Sequence, residues 1–370
     1  MRIPVIDLKP GIEQARAAFQ VRLEEVLAVP HLILGPQGAS FEREFAASTG
    51  APAVAACGSG TAAIELCLRH LGLTRASDEV LTTPLTAPFT GIGITAPGAG
   101  IRFADIDPVS LLLDPDDAGN RATRRTRAIV PVHLYGHTCA LDRFRALARS
   151  FRAVLIQDAA QAHGARFQGR PLTRFGPFVT YSFYPTTNLG GIGDGGAIAT
   201  AGVAAAARLR SLRDGGRRTG SSGMVSRWKG INSRLDEIQA AWLRAALPFL
   251  DDWNARRDLL VARYDEALAG CPGIDLVPRP AGSVNHLYVV CAARRSRLRE
   301  FLEARGIGSG LHYPVPLHLH PAFRDCRLKR GDLPHAERAC REVLSLPLWP
   351  QMPLSHVDEV AAAIRCFYSR

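Results

Sequence analysis

Asp158-Ala159-Ala160-Gln161-Ala162-His163-Gly164-Ala165, entered from the apolar run Ala153-Val154-Leu155-Ile156-Gln157, is the stretch on which the fold turns. A carboxylate that ends a buried parallel strand stands where open α/β sheets bind their ligands. The small residues after it leave room for a flat ring against the strand end. Asp158 can also be read as a helix N-cap. His163 reads more readily as a hydrogen-bonded core residue than as a catalyst.

Outward from this junction the chain alternates apolar strands with helical patterns. Strands are expected at 53–56, 79–83, 100–104, 127–132, 153–158 and 178–183, with helices over 61–70 and 142–151 between them. Continuously apolar strands separated by helices predict an α/β fold with a mainly parallel sheet covered on both faces. Gly195 to Thr200 reads as a further strand that returns antiparallel. From Asn232 the pattern changes to two long amphipathic helices, 235–250 and 253–268, then to a mixture of short strands (286–291) and helices (295–305, 334–344). A large domain over 1–249 and a smaller C-terminal α+β domain over 250–370 are expected. The Gly/Ser/Arg-rich turn from Gly215 to Gly223 is expected to be mobile.

The composition excludes several classes. In 370 residues, 47% hydrophobic and 21% charged, there is ample material for a core. No uninterrupted apolar stretch reaches the length of a membrane span, and the opening residues lack a secretory pattern, so a cytoplasmic protein is expected. The eight cysteines are scattered without a C-x-x-C pair, which predicts free thiols, no disulfide framework and no metal site. The net charge is +11, yet only three of the 45 basic residues are lysine: Lys9, Lys229 and Lys329. An arginine coding bias accounts for the excess better than a nucleic-acid surface, so no nucleic-acid partner is expected.

Two further segments carry chemistry. Gly58-Ser59-Gly60-Thr61 sits where a strand feeds a helix, and free N–H groups there suit a phosphate, although such a turn is also an ordinary cap. Ser182-Phe183-Tyr184-Pro185-Thr186-Thr187-Asn188-Leu189-Gly190, followed by Gly193-Asp194-Gly195-Gly196, places a hydroxyl at a strand end before a glycine-rich turn and can complete an anion cradle. Alone it would read as a surface turn. The three segments in this order are far more specific than any one of them.

In this order the segments resemble the DegT/DnrJ/EryC1/StrS family of sugar aminotransferases, pyridoxal-phosphate (PLP) enzymes of fold type I. The resemblance extends through Ile3-Pro4-Val5-Ile6-Asp7-Leu8, Leu34-Gly35-Pro36, Pro131-Val132-His133-Leu134-Tyr135-Gly136, Asn232-Ser233-Arg234-Leu235-Asp236-Glu237 and His312-Tyr313-Pro314-Val315-Pro316-Leu317-His318. It implies that Gly60, Thr61 and Ser182 hold the coenzyme phosphate. Asp158 would pair with the pyridine nitrogen and Gln161 would contact the ring hydroxyl. Asn232 would reach the phosphate of a neighbouring subunit, which makes the protein a homodimer. His312, Tyr313 and His318 fall in a substrate-side loop, and the substrates implied are keto sugars on a nucleotide carrier or keto cyclitols of secondary metabolism.

The chain departs from the family at two places. The family reads S-F-Y-P-x-K-N-L-G, and Thr187 stands where its lysine forms the Schiff base. A threonine hydroxyl forms no imine and is too weak a base to shuttle a proton at neutral pH. Ala87, in Thr86-Ala87-Pro88-Phe89-Thr90, stands where the family carries a ring-stacking aromatic, with Phe89 two residues on. The expected function is a reaction other than transamination on a sugar-like ligand, with PLP or pyridoxamine phosphate (PMP) bound non-covalently or with no cofactor. His163, His133 or Tyr184 would be candidates for the missing base. The alternatives are an ordinary sugar aminotransferase carrying an engineered lysine-to-threonine change, or a catalytically silent partner that lends Asn232 to an active homologue.

Overall fold

The computed structural model describes residues 2–29, 31–217 and 225–369, so most of the expected mobile turn, 218–223, lies outside the described residues. The strands are β1 (Ala53–Cys57), β2 (Glu79–Thr82), β3 (Gly100–Phe103), β4 (Thr126–Val130), β5 (Val154–Asp158), a two-residue pair β6 (Arg166–Phe167) and β7 (Arg170–Pro171), β8 (Phe178–Ser182), β9 (Gly196–Thr200), β10 (Ile274–Leu276), β11 (Tyr288–Ala292) and β12 (Val343–Leu346). The helices are α1 (Lys9–Ala28), α2 (Pro36–Thr49), α3 (Gly60–Leu71), α4 (Pro88–Thr95), α5 (Pro115–Arg121), α6 (Leu141–Ser150), α7 (Val203–Leu212), α8 (Glu237–Ala246), α9 (Leu250–Leu268), α10 (Arg295–Glu303), α11 (Pro334–Glu342) and α12 (Leu354–Tyr368).

Seven strands form one sheet in the order β1-β9-β8-β5-β4-β2-β3. β3, β2, β4, β5 and β8 run parallel, and β9 is antiparallel to both β8 and β1, as expected for the returning strand. Most strand residues are buried because helices cover both faces, which is why the strands read as unbroken apolar runs rather than alternating ones. The mostly parallel α/β sheet matches the fold class expected from the sequence. A second antiparallel sheet, β10-β11-β12, packs in its own apolar cluster with Tyr264, Leu302, Val357 and Ile364. Ile3, from the other end of the chain, joins that cluster.

The join between α8 and α9 differs from the two helices read from the pattern. A 3-10 turn, Leu247–Phe249, links them, because Pro248 has no N–H to carry an α-helix through. At the start of α8, the buried Glu237 carboxylate accepts from the backbone N–H groups of Gly35 (2.9 Å), Gln37 (2.7 Å) and Gly38 (2.8 Å). It therefore caps α2, whose first turn has no capping side chain of its own. Two motifs 200 residues apart, Leu34-Gly35-Pro36 and Asp236-Glu237, are halves of one contact.

All eight cysteines are free. Among the described residues, no helix is long and apolar enough to cross a membrane, and no group of three or more His, Cys, Asp or Glu side chains could hold a metal.

Candidate active site

A cavity of about 650 Å³ opens at the C-terminal ends of β5 and β8, bounded by the start of α3, the start of α4 and the His312-Tyr313 segment. Its position follows from the topology, because loops at the carboxyl ends of parallel strands converge there.

One wall is the β1-α3 turn. Ser59 caps α3, its Oγ accepting from Ala62 N–H at 3.1 Å and its carbonyl from Ala63 N–H. The N–H groups of Gly60 and Thr61 precede the first bonded pair and, among the described residues, remain as free donors at the positive end of the helix. Ser182 closes the cradle. A Cβ added to Gly60 would lie 2.9 Å from the Ser182 Cβ, so the close approach of the two segments requires glycine. Ser182 Oγ accepts from Tyr184 N–H at 3.2 Å, which leaves its own hydrogen free to donate.

The floor is Asp158. Its Oδ2 accepts from the Thr90 hydroxyl at 2.8 Å and its Oδ1 from Ala160 N–H at 3.1 Å. Thr90 spends its single proton on the carboxylate, so the 3.1 Å contact between Thr86 and Thr90 runs from the Thr86 hydroxyl. Burial raises the Asp158 pKa, and the Ala160 and Thr90 donors oppose that rise. A buried carboxylate with two donors still has lone-pair capacity facing the cavity, which suits a cationic N–H.

Gln161 joins the floor to the far wall. Its Oε1 accepts from Tyr135 N–H at 2.7 Å and its Nε2 donates to the Tyr313 hydroxyl at 3.3 Å. Tyr313 keeps its own proton available; burial pushes its pKa up to about 12. His312 bonds the Ser345 hydroxyl through Nδ1 at 2.8 Å, and both His312 and Tyr313 line the cavity.

The Thr187 segment forms the remaining wall. The Thr187 hydroxyl donates within its own loop, toward the carbonyls of Tyr184 (2.9 Å), Leu189 (3.0 Å) and Ser182 (3.2 Å). The next side chain, Asn188, is buried and belongs to a polar chain. Its Nδ2 donates to Asn254 Oδ1 at 2.7 Å, and its Oδ1 meets His286 Nδ1 at 3.0 Å. His286 lines the cavity. None of the three lysines does, and all three are exposed. At the mouth, Ala87, Phe89 and Tyr184 line the opening, with Phe89 61% exposed and Tyr184 55% exposed.

Of the residues singled out in the sequence, the fold brings Gly60, Thr61, Asp158, Gln161, Ser182, Tyr184, Thr187, His312 and Tyr313 to this cavity. It does not bring His163, His133, His318 or Asn232 there. His163 is buried among Phe45, Tyr181 and Phe183, and burial pushes its pKa down to about 3. His133 is fully buried, accepting from Cys139 N–H on Nδ1 and facing Gln157 with Nε2. His318, within the 3-10 turn Leu317–Leu319, is held to Glu337 at 3.1 Å. Asn232 is exposed and bridges Asp214 through the backbone, while the adjacent Ser233 hydroxyl accepts from Gly58 N–H at 3.0 Å, behind the cradle.

Thr86, Thr90, Asn188 and His286 were not singled out by sequence reasoning. Thr86, just before the N-cap of α4, and Thr90, in its first turn, stand four residues apart, and that closeness in sequence was a signal that could have found the pair; His286, 98 residues from Asn188, had none.

Known proteins agree with this architecture. Residues 13–365 match the DegT/DnrJ/EryC1/StrS aminotransferase family. The chain is 42% identical over 366 residues to the dTDP-3-amino-3,4,6-trideoxy-alpha-D-glucose transaminase of Streptomyces venezuelae, covering 98% of this chain and 96% of that protein. It is 39% identical over 367 residues to the erythromycin biosynthesis sensory transduction protein EryC1 of Saccharopolyspora erythraea, covering 99% of each. Among solved structures, S. venezuelae DesV in complex with a ketimine intermediate superposes with a TM-score of 0.95 at 42% identity, covering 100% of this chain and 99% of that one. The ntda protein of Bacillus subtilis with bound cofactor PMP superposes at 0.93 with 28% identity, covering 100% of this chain and 86% of that one. The chain belongs to the DegT/DnrJ/EryC1/StrS aminotransferase family.

Proposed function

We propose that this protein binds a vitamin B6 phosphate, PLP or PMP, without a covalent lysine link, and acts on a sugar-like, nucleotide-carried substrate by a reaction other than transamination. The observation that carries this reading is Thr187 itself. The sequence resemblance puts it at the family's lysine position; its hydroxyl is turned into its own loop, and no lysine lines the cavity.

The residues fit the coenzyme in every respect but the anchor. The Gly60 cradle, which a Cβ would fill, together with the Ser182 hydroxyl and two free helix N–H groups, suits a phosphate dianion. Asp158 suits a protonated pyridine nitrogen, and an opposing positive charge would restore the ionised carboxylate that burial disfavours. Gln161 and Tyr313 are placed to hold the ring hydroxyl and the substrate side. Bound there, the coenzyme would supply an electron sink. We also propose the division into 1–249 and 250–370, with the substrate entering past Tyr184 and Phe89.

Two other readings draw on particular observations. The transaminase names of the relatives favour ordinary amino-group exchange, with Thr187 as a replacement. The exposed Asn232, away from its own cavity, favours a homodimer or a heterodimer in which this residue serves an active homologue's site. The test is turnover with PLP or PMP, glutamate and a dTDP-keto sugar. We expect no 2-oxoglutarate beyond a single equivalent; sustained release would return the protein to transamination. Thr187→Lys separates the alternatives further. A replaced lysine should restore both colour and turnover, whereas natural divergence should give colour without turnover because Ala87 leaves the ring unstacked.

A further inference from the structure

The polar chain behind Thr187 fixes the proton on His286, starting from an atom with no choice. The backbone carbonyl of His163 can only accept, so the Asn254 atom 2.9 Å from it is Nδ2. Asn254 therefore turns Oδ1 to Asn188, which must answer with its own Nδ2 at 2.7 Å. That leaves Asn188 Oδ1 facing His286 at 3.0 Å, and an amide oxygen only accepts, so His286 Nδ1 carries the hydrogen. In the neutral ring Nε2 is then a bare lone pair. Among the described residues Nε2 has no hydrogen-bond partner, and it is not sealed from solvent as the orphaned nitrogens of His163 are. His286 and Thr187 both line the cavity, so an acceptor on this ring belongs to the same site as the Thr187 hydroxyl.

The surroundings keep the ring neutral. His286 is buried, the Arg257 guanidinium lies against it and donates to its backbone carbonyl at 3.1 Å, and His312 and His163 are close by. Burial and these neighbours oppose a second proton. His312, which also lines the cavity, has no such fixed tautomer, because the Ser345 hydroxyl can give or take.

We propose that His286 Nε2 is the cavity's amine acceptor, and that it selects the amine-bearing B6 phosphate, PMP, over forms without a donor at the 4′ position. This rests on the reading that the site binds a B6 phosphate non-covalently. An amine or ammonium donates to a bare imidazole nitrogen; an aldehyde cannot, and Thr187 offers it no amine. The Thr187 wall thus serves for recognition rather than attachment.

The test is equilibrium binding of PMP, PLP and 4-deoxypyridoxine 5′-phosphate, whose 4′ group is an inert methyl, to the full-length protein stripped of coenzyme. The wild type is expected to prefer PMP over the deoxy analogue by about tenfold, the factor that ~1.4 kcal/mol represents. His286→Leu should abolish that preference while leaving the deoxy analogue's affinity within about twofold of wild type, roughly 0.4 kcal/mol. His286→Gln, which keeps an acceptor oxygen, should recover part of the preference. Retained PMP preference in His286→Leu, or an equal loss for all three phosphates, would overturn the assignment. Should the leucine variant fail to fold, ¹⁵N NMR of the wild type decides. The Nε2 resonance should be of the unprotonated kind and should move on adding PMP but not the deoxy analogue; the opposite pattern refutes the proposal. If the wild type binds none of the three phosphates, the underlying coenzyme reading fails as well, whereas binding without discrimination removes the His286 proposal alone.

Discussion

Two walls of one cavity are built differently. The cradle and floor, Gly60, Thr61, Ser182 and Asp158, keep free N–H groups, a close glycine approach and a buried carboxylate with spare acceptor capacity. The remaining wall, Thr187 and Asn188, has a buried Asn188-Asn254-His286 network but presents no amine. On the reading proposed above, the contrast teaches that binding and bond-making are separable: backbone geometry and one charge would hold a phosphate and a ring, while covalent attachment would depend on a single side chain.

The sharpest way to break the comparison is at the floor. Asp158→Asn should weaken PMP binding roughly thirtyfold or more, in the range of 2–5 kcal/mol for a buried charge left without its partner. Calorimetric titration would reveal it, and an unchanged affinity would mean that Asp158 faces no cation. At the cradle, Gly60→Val should press on the Ser182 Cβ and destabilise the protein by about 1–3 kcal/mol. Its phosphate affinity should fall with it, measured with PMP against unphosphorylated pyridoxamine; the advantage of the phosphate should shrink.

The core behind these walls should respond to acid. Unfolded histidine takes a proton near pH 6.5, whereas buried His133 does so only near about 4 and His163 near about 3. Between these values the unfolded state holds more protons, so stability should fall as pH drops from 6.5 towards 4. Each group contributes up to about 1.4 kcal/mol per pH unit. Scanning calorimetry from pH 7 to 4.5 should find a falling Tm, and His133→Asn should flatten the slope. The smallest effect belongs to the Thr187 wall. Thr187→Ala removes hydrogen bonds internal to one loop and should cost about 1 kcal/mol of stability. Coenzyme affinity should stay nearly constant; a large loss would place the hydroxyl in the binding site.

Much of the first wall was legible in the sequence, because its parts are local. Ser59-Gly60-Thr61 is a strand-to-helix turn, and Asp158 is the last residue of an apolar run, so each announces its place through its neighbours. The antiparallel return at Gly196–Thr200 also emerged as expected. The second wall was legible only through the reading of Thr187 as a departure from the family pattern. Its partners, His286 and Asn254, lie 98 and 66 residues from Asn188, and no periodicity encodes such a meeting. The same holds for Glu237, whose capping of α2 spans about 200 residues. His163 and His318 carry reactive side chains in suggestive motifs, yet packing turned one into an aromatic cluster and the other onto Glu337.

The most direct measurement is reduction of the unmodified protein with borohydride in the presence of PLP, followed by intact-mass and peptide analysis. With a complete cradle and no amine in reach, the expected result is a chain of unchanged mass and no visible absorption band of a lysine-linked coenzyme. A stoichiometric coenzyme adduct on Lys9, Lys229 or Lys329 would contradict the separation of the two walls.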